Sequence, residues 1–181
     1  MKARMLFATG YEEVEALTVV DILRRAGIDC VMVAADDEES VTGAHGISVH
    51  MDERLSDVKD QCDLVILPGG IPGVPNLKAN PKVEALVRSQ NDRDAYVAAI
   101  CAGPTALGAF GVLENRKATC YPGCEGQLMA KEHSTDMVVV DGNVITSRGV
   151  GTAIEFGLRL VEVLIDKAAA DELAEKIVYK R

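Results

Sequence analysis

No stretch of this chain stays apolar for the roughly 20 residues that a membrane-spanning helix needs. Basic charge is also in short supply: 19 Lys and Arg stand against 28 Asp and Glu, a formal net charge of −9. Nucleic-acid surfaces and anionic membranes are both met by clustered Lys and Arg, so both partner classes are disfavoured. A secretory signal is missing as well. Met1–Arg4 is basic, but the apolar stretch behind it ends at Gly10 and runs into Glu12, Glu13 and Glu15. A cytoplasmic protein is expected. The cysteines (Cys30, Cys62, Cys101, Cys120, Cys124) are odd in number, and neither they nor His45, His50 and His133 fall into metal-ligand spacing. Free thiols and no structural metal are expected. Repeats, low-complexity tracts and linkers are absent too, and 181 residues of which 48% are apolar fit one α/β domain over 1–181.

What is present is an alternation of short apolar runs and amphipathic stretches. Ala3–Ala8, Ile28–Ala34, Asp63–Leu67 and Ala95–Ile100 read as buried strands. Glu13–Ala26, with Val14, Leu17 and Val20 as its inward stripe, Pro81–Asn91 and Pro104–Phe110 read as helices. Met137–Val140 and Val144–Thr146 flank Asp141-Gly142-Asn143 as a hairpin. Thr152 is placed to cap a helix over Ala153–Ile165, and a last helix is expected over Asp171–Tyr179. Alternating strands and helices imply a mostly parallel sheet with helices on both faces.

The chemistry concentrates where an apolar strand runs into a thiol: Tyr96-Val97-Ala98-Ala99-Ile100-Cys101-Ala102-Gly103-Pro104-Thr105. Small residues and a proline permit the tight strand-to-helix turn that exposes a nucleophile. A thiol before a helix N-terminus is expected to be pulled toward thiolate, the form that attacks carbonyls and peroxide. Pro68-Gly69-Gly70 ends a neighbouring strand, where glycines let backbone N–H groups approach an oxyanion; Gly70 and Ala102 are the expected donors. In Gly10-Tyr11-Glu12-Glu13-Val14-Glu15, Glu12 and Glu13 suit solvated dipole partners, whereas Glu15 beside the core-facing Val14 is the carboxyl expected to reach the thiol. Cys120 and Cys124 read as loop cysteines, with a resolving role for oxidised Cys101 as the alternative.

These segments, with Ile66-Leu67-Pro68-Gly69-Gly70, Thr146-Ser147-Arg148-Gly149, Thr152, Glu155-Phe156 and Arg24-Arg25-Ala26-Gly27, resemble the ThiJ/PfpI (DJ-one) superfamily along the whole chain. The branch they resemble most is that of the parkinsonism-linked protein and its bacterial relatives. The resemblance implies a flavodoxin-like three-layer α/β sandwich and a homodimer. It implies Cys101 as reactive thiol, Glu15 as its acid partner, and Gly69, Gly70 and Ala102 as backbone lining. It also implies cofactor-free glyoxalase or deglycase chemistry on methylglyoxal, glyoxal or early glycation adducts, a hydro-lyase or hydrolase type of activity. The non-enzymatic alternative is a redox sensor or redox-regulated chaperone working through Cys101 oxidation.

Departures from the family pattern narrow this further. Ala102 stands where the protease-like branch has its histidine, and His133 is followed by Ser134-Thr135-Asp136 rather than an amidotransferase His-x-Glu. Peptidase and amidotransferase activities are therefore disfavoured. Tyr121 replaces a histidine near the thiol, Val150 replaces a proline, and His45 aligns with an interfacial arginine. Tyr121, His45, Arg25 and Arg148 are the further residues assigned to the pocket or a dimer interface.

Overall fold

The computed structural model describes residues 1–180. Along the chain run β1 (Lys2–Phe7), α1 (Glu13–Arg25), β2 (Asp29–Ala34), β3 (Ser40–Thr42), β4 (Ser48–His50), β5 (Glu53–Arg54) and β6 (Leu64–Leu67). Then come α2 (Gly73–Ala79), α3 (Pro81–Asp92), β7 (Tyr96–Ile100), α4 (Pro104–Ala109), β8 (Lys117–Ala118) and β9 (Glu132–His133). The chain closes with β10 (Val138–Asp141), β11 (Val144–Ser147), α5 (Ala153–Leu164) and α6 (Lys167–Lys176).

Seven strands form one sheet in the order β10-β11-β7-β6-β1-β2-β5, parallel throughout except for β10. The central strands are apolar on both faces, as a parallel sheet covered on both sides requires: every residue of β6 is buried, as are Val97–Ile100 of β7. Side chains alternate along β1. Ala3, Met5 and Phe7 enter the layer formed with α1, α5 and α6, while Leu6 and the following Ala8 enter the layer of α2, α3 and α4. The result is the flavodoxin-like three-layer sandwich.

The helices depart from the expected stripes in instructive ways. Val14 does not face the core; it is 49% exposed. The inward face of α1 is Glu13, Glu15, Ala16, Val19, Val20, Ile22 and Leu23, because the 16/19/20/23 line is the richer apolar stripe. The last helix starts at Lys167, four residues before the expected Asp171, because the Asp166 side chain accepts from Ala169 N–H at 2.8 Å and caps it there. It ends at Lys176 rather than Tyr179. Thr152 occupies the N-cap position of α5 without capping it; its hydroxyl bonds Ser147 Oγ and Gly149 instead. The hairpin of β10 and β11 closes on the two residues Gly142 and Asn143, with Gly142 at φ +61°. Helix α2 escaped the periodicity reading because Gly73 and Pro75 signal a turn, yet Pro75 lies in the first turn, where its missing N–H costs no helical bond.

Two further pairs of strands, β3–β4 and β8–β9, lie outside the central sheet. The β3–β4 hairpin stands above the start of α1, and Glu13 ties them together: its Oε1 accepts from His45 N–H at 2.7 Å, and Oε2 meets His45 Nδ1 at 2.9 Å. Glu13 is thus buried and spoken for, not solvated as its position in the first turn suggested. At the opposite end of the sheet, fully buried Arg4 donates to Glu53 Oε2 at 3.1 Å, to the Asp60 carbonyl at 2.9 Å and to the Asp60 carboxylate.

Candidate active site

The carboxyl ends of β1, β6, β7 and β11 come together at one edge, the place where an open parallel sheet forms its crevice. Cys101 follows β7 directly. It takes φ +66°, a left-handed backbone rarely tolerated outside glycine. Two bonds hold it there: Cys101 N–H donates to Ser147 O of β11 at 3.0 Å, and Tyr121 N–H donates to Cys101 O at 2.8 Å. The chain then turns through Ala102 and Gly103 into α4. A Cβ on Gly103 would lie 2.8 Å from the carbonyls of Ile100 and Leu67, so only glycine passes there.

Glu15 reaches the same point from the first turn of α1. Its side chain is completely buried, and Oε2 accepts Gly69 N–H at 3.0 Å. Gly69 is the floor between acid and thiol: a Cβ there would fall 2.5 Å from Glu15 Oε2 and 3.0 Å from Cys101 Sγ. Its N–H is spent on the carboxyl, so Gly69 orients Glu15 and, unlike Gly70 and Ala102, is not among the residues lining the cavity over the sulfur. Gly70 at φ +100° must also be glycine, since a Cβ would strike Glu12 N and Gly10 O at 2.4 Å. Glu15 Oε1 is buried and has no hydrogen-bond partner.

Burial pushes the Glu15 carboxyl up to about 7, against the opposing pull of its bonds to Cys101 and Gly69 N–H. The Cys101 thiol is also raised, first by burial and then by the Glu15 charge, while Ala102 N–H pulls it down. The expectation that the helix N-terminus alone would favour thiolate is therefore corrected: α4 spans only six residues and begins three residues on, and desolvation outweighs it. Acid and thiol are coupled: the Glu15 charge holds the proton on sulfur, and protonation of Glu15 removes that repulsion and makes the carboxyl a donor.

A cavity of about 680 Å³ opens over the pair, lined by Glu12, Glu15, Gly70, Cys101, Ala102, Tyr121, Cys124, Arg148 and Thr152 among others. Of the residues assigned to the pocket or a dimer interface, Tyr121 and Arg148 line this cavity. Tyr121 is half exposed at its rim, and Arg148 Nη1 donates to Thr135 O at 3.2 Å. Two assigned residues do not reach it. Arg25 is paired with Asp21 on the exposed side of α1, and His45 is held out in the β3–β4 hairpin by Glu13. Sequence singles out neither Glu12 nor Thr152 for this cavity, and it reads Cys124 as a loop cysteine with a resolving role toward Cys101 as the alternative. Among the described residues, Glu12, Glu13 and His45 bring three ligand atoms within 4.8 Å of one another, a grouping that sequence spacing concealed. Glu13 there already accepts two backbone N–H groups, which accounts for its burial without an ion.

Residues 1–163 match the family model described as the DJ-1/PfpI family. The Danio rerio protein named Parkinson disease protein 7 homolog is 39% identical over 184 residues, covering 99% of this chain and 97% of the relative. A Caenorhabditis elegans protein named glutathione-independent glyoxalase DJR-1.2 is 38% identical over 156 residues, 84% of this chain and 82% of its own length. The solved structure of oxidized Toxoplasma gondii DJ-1 superposes with a TM-score of 0.96 at 34% identity, with 99% of each chain covered.

Proposed function

This chain belongs to the DJ-1/PfpI family, and from that premise we propose that it is a cofactor-free glyoxalase or deglycase-type enzyme acting on methylglyoxal, glyoxal or early glycation adducts. The observation that carries the proposal is the buried Glu15–Cys101 pair with one carboxylate oxygen left unpartnered beneath the cavity. A shared proton between acid and sulfur suits a reaction that must move protons without a metal or cofactor. The name of the Caenorhabditis elegans relative points the same way.

In this reading the Cys101 sulfur adds to the aldehyde carbon of an α-oxoaldehyde, and Glu15 relays the thiol proton to the new alkoxide. Backbone N–H groups of Gly70 and Ala102 stabilise that oxygen while it is charged. Glu15, now a carboxylate, removes the hydrogen from the former aldehyde carbon and returns it to the neighbouring carbon through an enediol. A thioester remains. Water cleaves it to the 2-hydroxy acid and frees Cys101, so only water is consumed. Glycation adducts enter by the same addition to carbon. Assembly as a homodimer and a cytoplasmic setting belong to the same proposal.

Incubation with methylglyoxal, followed by lactate analysis, tests the reading. Lactate is expected from the unaltered chain, with a loss of about 10²–10⁴-fold in Cys101→Ser and in Glu15→Gln. Production that persists in either variant refutes the mechanism.

A further inference from the structure

Two thiols, not one, open into the cavity: Cys124 lines it together with Cys101. The backbone explains how. Tyr121-Pro122-Gly123-Cys124 is a tight turn in which Cys124 N–H donates to Tyr121 O at 3.0 Å, with proline second and Gly123 at φ +94° third, the type II arrangement. Tyr121 N–H in turn donates to Cys101 O. One hydrogen bond therefore closes the Cys124 turn, and a second ties that turn to the backbone of Cys101 itself. Cys120, the other thiol of this loop, is fully buried in the layer of α2, α3 and α4 and does not line the cavity. Cys30 and Cys62 are buried as well, in separate layers.

Partial burial and the neighbouring Glu125 carboxylate raise the Cys124 thiol, and the Lys78 ammonium opposes them. On the Cys101 side, Glu15 Oε1 is buried with no hydrogen-bond partner, and Glu15 Oε2 and Cys101 Sγ lie against the same face of Gly69.

We propose that Cys124 is the resolving cysteine of this site, closing an intrachain disulfide with Cys101 once a hydroperoxide has oxidised Cys101 to sulfenic acid. The inference rests on the reading of Cys101 as the reactive thiol. In the first step the Cys101 thiolate attacks a peroxide oxygen, the O–O bond breaks, and the departing oxygen leaves as water or alcohol with the proton of Glu15. Sulfur loses two electrons and the peroxide gains them. In the second step the Cys124 thiolate attacks the sulfenic sulfur and the S–O bond breaks. The departing hydroxide takes up a proton from the pocket as water. The sum is two thiols and one hydroperoxide giving one disulfide, one water and one water or alcohol. An external dithiol resets the pair by exchange. Disulfide closure competes with a second attack on peroxide, which would carry Cys101 to sulfinic acid.

The full chain, treated with hydrogen peroxide, then alkylated and digested with trypsin, reads this out by mass spectrometry. The expected result is a peptide pair linking Cys101 to the segment of Cys120 and Cys124, minus two hydrogens and reversible by a dithiol. It should be retained in Cys120→Ser and lost in both Cys124→Ser and Cys124→Ala. Cys101 sulfinic acid should accumulate about tenfold faster in the two Cys124 variants. Sulfinic acid forming at equal rates with and without Cys124, a link that depends on Cys120, or a link only between chains would each overturn the proposal while leaving Cys101 as the reactive thiol. Oxidation of the other cysteines ahead of Cys101 would overturn that underlying reading instead.

Discussion

Glu15 shows what one residue contributes when its environment opposes it. A carboxyl with a native pKa near 7 binds a proton that the unfolded chain releases near 4.5. Stability is therefore fully present below about pH 4.5 and falls as pH rises toward 7, by about 3 kcal/mol for a shift of this size. Glu15→Gln keeps an acceptor for Gly69 N–H and cannot ionise. Urea unfolding should show the variant within about 1 kcal/mol of the parent at pH 4.5, and more stable by about 2–3 kcal/mol at pH 8. Equal stabilities at pH 8 would mean that Glu15 is not desolvated. That this glutamate comes to lie beside the thiol is legible in the sequence, but the physical reason is not. Its neighbour Val14 points to solvent, and Glu15 is buried because the floor of Gly69 leaves room for its carboxylate and supplies an N–H.

At the scale of elements, the sandwich depends on how closely α1 and α5 approach. Gly157 makes that approach possible, since a Cβ there would meet Ile22 Cδ1 at 2.9 Å. Gly157→Leu gains helix propensity of about 1 kcal/mol but forces the helices apart. The net loss should be about 1–3 kcal/mol in chemical denaturation, and non-additive with Ile22→Ala. Strands such as β1, β2, β6 and β7 could be read from sequence because each is a short apolar run between glycines or charges. The same signal fails for β3, β4, β8 and β9, which span two or three residues and are held by pairing across the fold. Helix starts were legible only where a cap agreed with the pattern. Asp166 was passed over in favour of Asp171, and Thr152 looks like a cap but spends its hydroxyl on the Ser147–Gly149 loop that walls the cavity.

Across the whole molecule, the two ends of the sheet divide their tasks. Thiol, acid and cavity sit at the carboxyl ends of the strands, while Arg4 and its carboxylate partners tie β1 to β5 and to the 57–63 loop at the other end. Arg4→Met should lower stability by about 2 kcal/mol, because Asp60 stays exposed and the loss is chiefly that of hydrogen bonds to a charged group. Alkylation of Cys101 in the folded state should be unchanged, and a slower reaction would show that the ends are coupled. The burial of Arg4 is not legible along the chain, since its partners lie 49 and 56 positions away. The left-handed backbone at Cys101 has a consequence for how such a chain evolves. A side chain in that conformation costs about 1 kcal/mol that glycine would not. Populations released from the demand for this thiol should drift toward glycine at 101 and gain stability by doing so. A cysteine retained there therefore records continuing selection on its chemistry.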